Sequence, residues 1–163
     1  MRRLLLAVIL LALPMAALAQ EVAVQEIDLG EYLELLQADV RQQRAELMGQ
    51  AMELANTDEA AKFWPIYREY EIEANKLASE RNTVITRYAE TFMSMNDETA
   101  NEIIETVFTL DQEQLQLKKL YYERMKAELG AAKAGRFVQI DNQLDMMIRL
   151  QIASQLPLVK KVQ

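Results

Sequence analysis

Residues 57–92 read TDEAAKFWPIYREYEIEANKLASERNTVITRYAETF, and their spacing decides the fold class. Phe63, Tyr67, Tyr70, Ala74, Leu77, Arg81, Val84 and Tyr88 recur at alternating steps of four and three, which puts them along one face of a helix. The stripe holds a single charge, Arg81. Pro65 falls eight residues inside the helix start, where it removes an amide and crowds the preceding turn. The spacing therefore predicts a kink near 61–65, or a break with Pro65 at the first helical position.

Helical patterning continues on both sides of this stretch. Upstream, a helix is predicted over about 28–54, with Leu33, Val40, Leu47 and Leu54 seven residues apart beside Leu36. Asn56 and Glu59, three apart, read as a capping box for the helix over 57–92. Downstream, Ser94, Asn96 and Asp97 offer caps for a helix over about 97–129 that stops at Gly130. That helix has a wide apolar face: Ile103, Val107, Leu110, Leu117 and Tyr121 run beside Ile104, Phe108, Leu115, Tyr122, Met125 and Leu129, so it should touch two neighbours. A last helix over about 132–154 carries Phe137, Ile140, Leu144, Met147, Ile148 and Ile152 and closes before Pro157. No stretch alternates apolar and polar residues over strand length. The expected fold is all-α: a long antiparallel hairpin of the second and third helices, with the other two packed along it.

Residues 1–19 have the make-up of a cleavable export signal. Arg2 and Arg3 precede the apolar run Leu4 to Leu13, and Ala17 and Ala19 supply small residues at −3 and −1 of a cleavage point before Gln20. The remaining 144 residues, 20–163, form one expected helical domain with no segment apolar and long enough to span a membrane. Losing two arginines moves the net charge from −7 to −9, which disfavours nucleic acid as a partner.

The 163 residues include no cysteine and no histidine. That excludes disulfides, zinc fingers, histidine-ligated haem and Cys/His or Ser/His nucleophiles. No Gly-rich phosphate loop or nucleophile elbow is present, so no catalytic residue, cofactor or enzymatic activity is expected. Methionine is abundant, and Met93 with Met95, or Met48 with Met52, could in principle offer thioethers to a soft metal or fill gaps and form adaptable apolar surface.

Three further features bear on function. Phe63, Trp64 and Tyr67 surround Pro65; Phe63 and Trp64 point about 100° apart, so one narrow seam does not take both, and an exposed patch would mark a binding surface. With Met93 and Met95 they form the expected partner-binding surface. Arg81 and Asp111 fall at the same level if the hairpin folds about residue 96, which predicts an ion pair that fixes register, the alternative being an anion or carboxylate site. Acids dominate 21–60 and bases dominate 118–136, either as complementary faces or as a basic platform. The C-terminal run Leu156-Pro157-Leu158-Val159 either docks on the bundle or is free.

The segments Asp58-Glu59-Ala60-Ala61-Lys62-Phe63-Trp64 and Ala131-Ala132-Lys133-Ala134-Gly135-Arg136-Phe137, at helix starts in an exported chain of about 140 helical residues without cysteine, resemble the Spy/CpxP-like periplasmic proteins. That family places Leu-Thr-x-x-Gln motifs at such positions. The nearest text here is the degenerate Leu54-Ala55-Asn56-Thr57-Asp58-Glu59. The resemblance implies a bent helical hairpin, often a dimer with a concave face, acting as an ATP-independent chaperone or envelope-stress factor. The expected partners are unfolded or specific envelope proteins in the periplasm, with a homodimer allowed by the apolar perimeter. An adaptor for one envelope protein and a metal-responsive protein using Met and carboxylates are the alternatives. If the signal reading holds, protein recovered from a periplasmic extract begins at Gln20 by mass spectrometry, and an intact Met1 refutes it.

Overall fold

A computed structural model describes residues 29–154, 156 and 158, without the side chains of residues 29–32, 34 and 36–42. The proposed export signal and two residues of the C-terminal run, Pro157 and Val159, lie outside the described residues; of that run, Leu156 is half-buried and Leu158 is exposed. The fold is all-α. Four helices follow in order, α1 Leu29–Met52, α2 Thr57–Thr91, α3 Asp97–Leu129 and α4 Ala131–Ala153, with a 3-10 turn Phe92–Ser94 after α2 and no strand among the described residues.

The ends of these helices follow from local chemistry. Asn56 has extended backbone, and its side chain accepts a hydrogen bond from the Glu59 amide at 2.9 Å. Glu59 reaches back to the Ala55 amide at 2.8 Å, one residue before the usual partner in a capping box. Asn96 caps α3 in the same way through the Thr99 amide at 2.8 Å. Gly130 alone separates α3 from α4; its φ of 83° is a left-handed value that suits glycine, and its amide returns to the Lys126 carbonyl at 3.0 Å.

Pro65 does not break the chain. α2 runs without interruption from Thr57, because the Asn56 cap sets the start and Phe63, Ile66 and Tyr67, all buried, hold the turns on either side of the proline. The first predicted seam also differs. Leu47 is exposed, while Met48 and Met52 are fully buried beside half-buried Arg44 and Ala45. Leu33 is buried as expected, Leu54 falls in the connection to α2, and the side chains of Leu36 and Val40 lie outside the described residues.

Contacts set the helix directions. Glu69 pairs with Arg124 at 2.7 Å, Tyr70 meets Tyr121 edge-on, Arg81 pairs with Asp111 at 2.6 Å and Arg87 with Glu102 at 2.5 Å. Numbers rise on α2 as they fall on α3, so the two run antiparallel. The same holds for α3 and α4, through Lys118 to Asn142 and Asp111 to Arg149, and for α1 and α4, through Arg136 to Glu53 and Arg44 to Asp145. Both connections, 53–56 and Gly130, therefore sit at one end. The aromatic core lies there: Phe63 and Tyr67 stack at 5.5 Å, and Tyr70 meets Phe137 edge-on at 5.1 Å. Towards the other end α2 and α3 continue as a pair, and from 82 to 109 only Ile103 is buried.

A β-carbon at Gly130 would meet nothing within 4 Å, so Gly130→Ala should cost only the strained backbone at φ 83° and ψ 162°, about 1–3 kcal/mol. Gly135, inside α4 with equal space, should gain about 0.5–1 kcal/mol as Ala. Urea unfolding of the two variants tests this, and equal shifts would refute the assignment of Gly130 as the strained residue.

Candidate functional site

The interior of the bundle is organised by one carboxylate. Asp141, on α4, has no solvent exposure, although it stands between Ile140 and Leu144 in an apolar stripe. Arg44 of α1 donates to its Oδ1, Tyr70 of α2 donates to its Oδ2 at 2.7 Å, and Lys118 of α3 pairs with Oδ2 at 2.8 Å. Every helix thus sends one side chain to the same group. Burial alone would push the Arg44 pKa down, but the negative charges of Asp141 and Asp145 outweigh it and hold the guanidinium charged. Burial, and then the charge of Asp141, push the Tyr70 phenol well above its ordinary range, so it stays a donor.

The network continues outward as a chain of alternating charges. Lys118 also donates to Asp145 at 3.0 Å, Gln114 donates to Asp145 at 2.8 Å, and Arg149 donates to Gln114 at 2.6 Å. Arg149 and Arg81 then both reach Oδ1 of Asp111, at 3.0 and 2.6 Å. Partial burial would raise the Asp111 pKa, but the hydrogen bond from Arg149 and the charge of Arg81 more than offset it and hold it below the ordinary carboxylate range. The acidic and basic stretches of the sequence meet at the connections: Lys133 pairs with Glu59 at 2.9 Å and Arg136 with Glu53 at 2.7 Å.

The aromatic group around Pro65 is placed differently from the expected surface. Phe63 and Tyr67 are buried in the core, and Trp64 is half-buried with its ring against Gly49, where a β-carbon would come within 3.1 Å. Met93 is 76% exposed at the far turn and Met95 half-buried beside it. Met48 and Met52, the other thioether pair, are core residues. No group of three or more Asp or Glu positioned to hold a metal ion occurs among the described residues.

The exposed apolar surface lies mainly on α3 and α4. Ile104, Phe108 and Leu115 are spaced by four and seven on α3, on the face that carries Asp111 and Lys118. Met146 and Leu150, four apart on α4, stand beside Asn142 and Arg149. The Lys118–Asn142 and Asp111–Arg149 contacts join those same faces, so the two apolar rows flank a polar seam. Phe108, Leu115, Met146 and Leu150 are each 62–71% exposed, although side chains of this kind are usually the most buried. The wide apolar face of α3 does reach two neighbours, α2 and α4, but its outer edge is left uncovered. No described helix is long and apolar enough to cross a membrane.

No family model, curated protein or solved structure matches the chain.

Asp141→Asn keeps the shape of the side chain but leaves Arg44 and Lys118 to share the single carboxylate of Asp145, which should cost about 3 kcal/mol. Arg87→Gln, which breaks the exposed pair with Glu102, should leave stability nearly unchanged, since water and salt screen it. Urea midpoints measure both; an Asp141→Asn loss as small as that of Arg87→Gln would show that the network does not hold the bundle.

Proposed function

We propose that the chain is a periplasmic helical protein that binds other polypeptides, acting as an ATP-independent chaperone or envelope-stress factor. The observation that supports this most is the pair of exposed apolar rows, Ile104, Phe108 and Leu115 on α3 with Met146 and Leu150 on α4, beside a seam of charged and amide side chains. Exposed large apolar side chains in rows of this kind, on a bundle with its own packed core, favour an interaction site. Phe, Leu and Met side chains adhere to any apolar segment, and the methionines adapt to its shape. The interleaved Asp111, Arg149 and Lys118 favour binding that is reversible and sensitive to salt. Met93, at the end of the α2/α3 pair, extends the same kind of surface to the tip.

The export signal and the layout that resembles the Spy/CpxP-like proteins agree with this reading, which needs no cofactor and no catalytic group. It places the capture surface on α3 and α4 instead of around Pro65, because Phe63 and Tyr67 are committed to the core. The same rows would also serve a single dedicated envelope partner, and the test separates the two outcomes.

Protein purified from cells expressing the full chain should suppress aggregation of two unrelated unfolding proteins at near-equimolar ratio without ATP. Replacing Phe108, Leu115 and Met146 together by Ser should raise the amount needed about tenfold while leaving the unfolding midpoint within about 1 kcal/mol of the parent. Full protection by the triple variant refutes this surface. Absence of protection by the parent refutes the general chaperone reading and points to one dedicated partner.

A further inference from the structure

A cavity of about 110 Å³ lies between the helices, next to the Asp141 network and on the side of the α2/α3 pair. The core around Phe63, Tyr67 and Phe137 is closely packed, and native interiors keep few voids larger than a water molecule. A space of this size is comparable to engineered cavities that hold one benzene ring. Its walls are of two kinds. Leu33, Leu77, Leu110, Ile148 and Ile152 supply hydrocarbon to the lining, and Arg81, Arg149 and Gln114 supply polar ends.

Among the described residues that line it, guanidiniums outnumber carboxylates. Arg44, Arg81 and Arg149 line the cavity against Glu71 and Asp145. Arg44 is satisfied by Asp145 and, deeper, by Asp141. Arg81 and Arg149 share one oxygen of Asp111, and Asp111 itself does not line the cavity. Two guanidiniums thus draw on one half-exposed carboxylate outside the space, and a guanidinium has five N–H donors in a fork that fits a carboxylate. A group that brought one carboxylate to Arg81 and Arg149 and hydrocarbon to the leucines and isoleucines would meet both parts of the lining.

We propose that this cavity binds a small amphipathic carboxylate of about six carbons, its chain against Leu77, Leu110 and Ile148 and its head at Arg81 and Arg149. The site shares Arg149 and Asp111 with the polar seam beside the exposed rows but none of the apolar side chains of those rows, and ligand binding is read without any polypeptide present. Asp111 competes with the ligand head for the same two arginines. Removing Asp111 should therefore tighten binding, whereas removing Arg81 should weaken it; a role confined to holding α2 against α3 would give losses in both.

The test is titration of the full chain, as purified, with hexanoate, hexanol and hexylamine, followed by calorimetry and by amide chemical shifts. Hexanoate should saturate with a Kd of about 10 mM or tighter, the least expected of a compound of its size in a formed pocket, and should bind more tightly than hexanol; hexylamine should not bind. Arg81→Gln should weaken hexanoate about tenfold, Asp111→Asn should strengthen it, and Ala78→Leu, which fills the lining with hydrocarbon, should abolish it. Absence of saturation by hexanoate, equal binding of hexylamine, or unchanged affinity in Ala78→Leu overturns the proposal. Weakening by Asp111→Asn also overturns it, since that variant then reports helix register and not competition.

Discussion

A single buried carboxylate constrains this bundle. Asp141 stands in the apolar stripe of α4, and a lone charge there would be too costly to keep. It persists because Arg44, Tyr70 and Lys118 arrive from the three other helices. Those three contacts hold only at one register of each helix against α4, since a slip by one residue turns each side chain about 100° away. The aromatic and methionine core supplies most of the burial, and such a core tolerates several arrangements of similar volume. The charged network selects among them.

This arrangement explains why the surface of α3 and α4 carries apolar residues. Polar side chains at the α3/α4 contact, Gln114, Lys118, Asp145 and Arg149, are spent on each other and on Asp141, so the joint needs little apolar material. Leu115, Phe108, Met146 and Leu150 are then left outside it. Beyond the level of Asp111 and Arg149, α2 and α3 run on as a pair with Ile103 alone buried, and the apolar row of α3 continues onto that pair through Ile104. The α3/α4 side therefore presents a long, partly apolar edge, as a polypeptide-binding surface would.

Much of the fold is legible in the sequence because it depends on local signals. The scarcity of Gly and Pro, the caps at Asn56 and Asn96, the stop at Gly130 and the seam of α2 give four helices and nearly their ends. The α1 seam is harder to read. Its inner face carries Arg44, so the true row of Arg44, Met48 and Met52 looks broken, while Leu47, fourteen residues after buried Leu33 in a regular heptad, is itself exposed. Asp141 is hidden for the same reason: Ala134, Phe137, Asp141 and Leu144 alternate by three and four, and the one acid in that row is the signal that reading for apolar residues passes over. The exposed rows are not legible at all from α3 alone, since the same wide apolar face is what a helix with two full neighbours would show.

The claim on which the functional account rests is that captured polypeptide lies along α3 and α4. The most direct measurement is photocrosslinking to an unfolding protein from a benzophenone side chain placed at 108, 115 or 146, and, for comparison, at 72 or 120, which are exposed apolar positions on other faces. The account predicts adducts at the first three positions several-fold above those at the last two. Equal labelling at all five, or labelling mainly at 72 and 120, would contradict it.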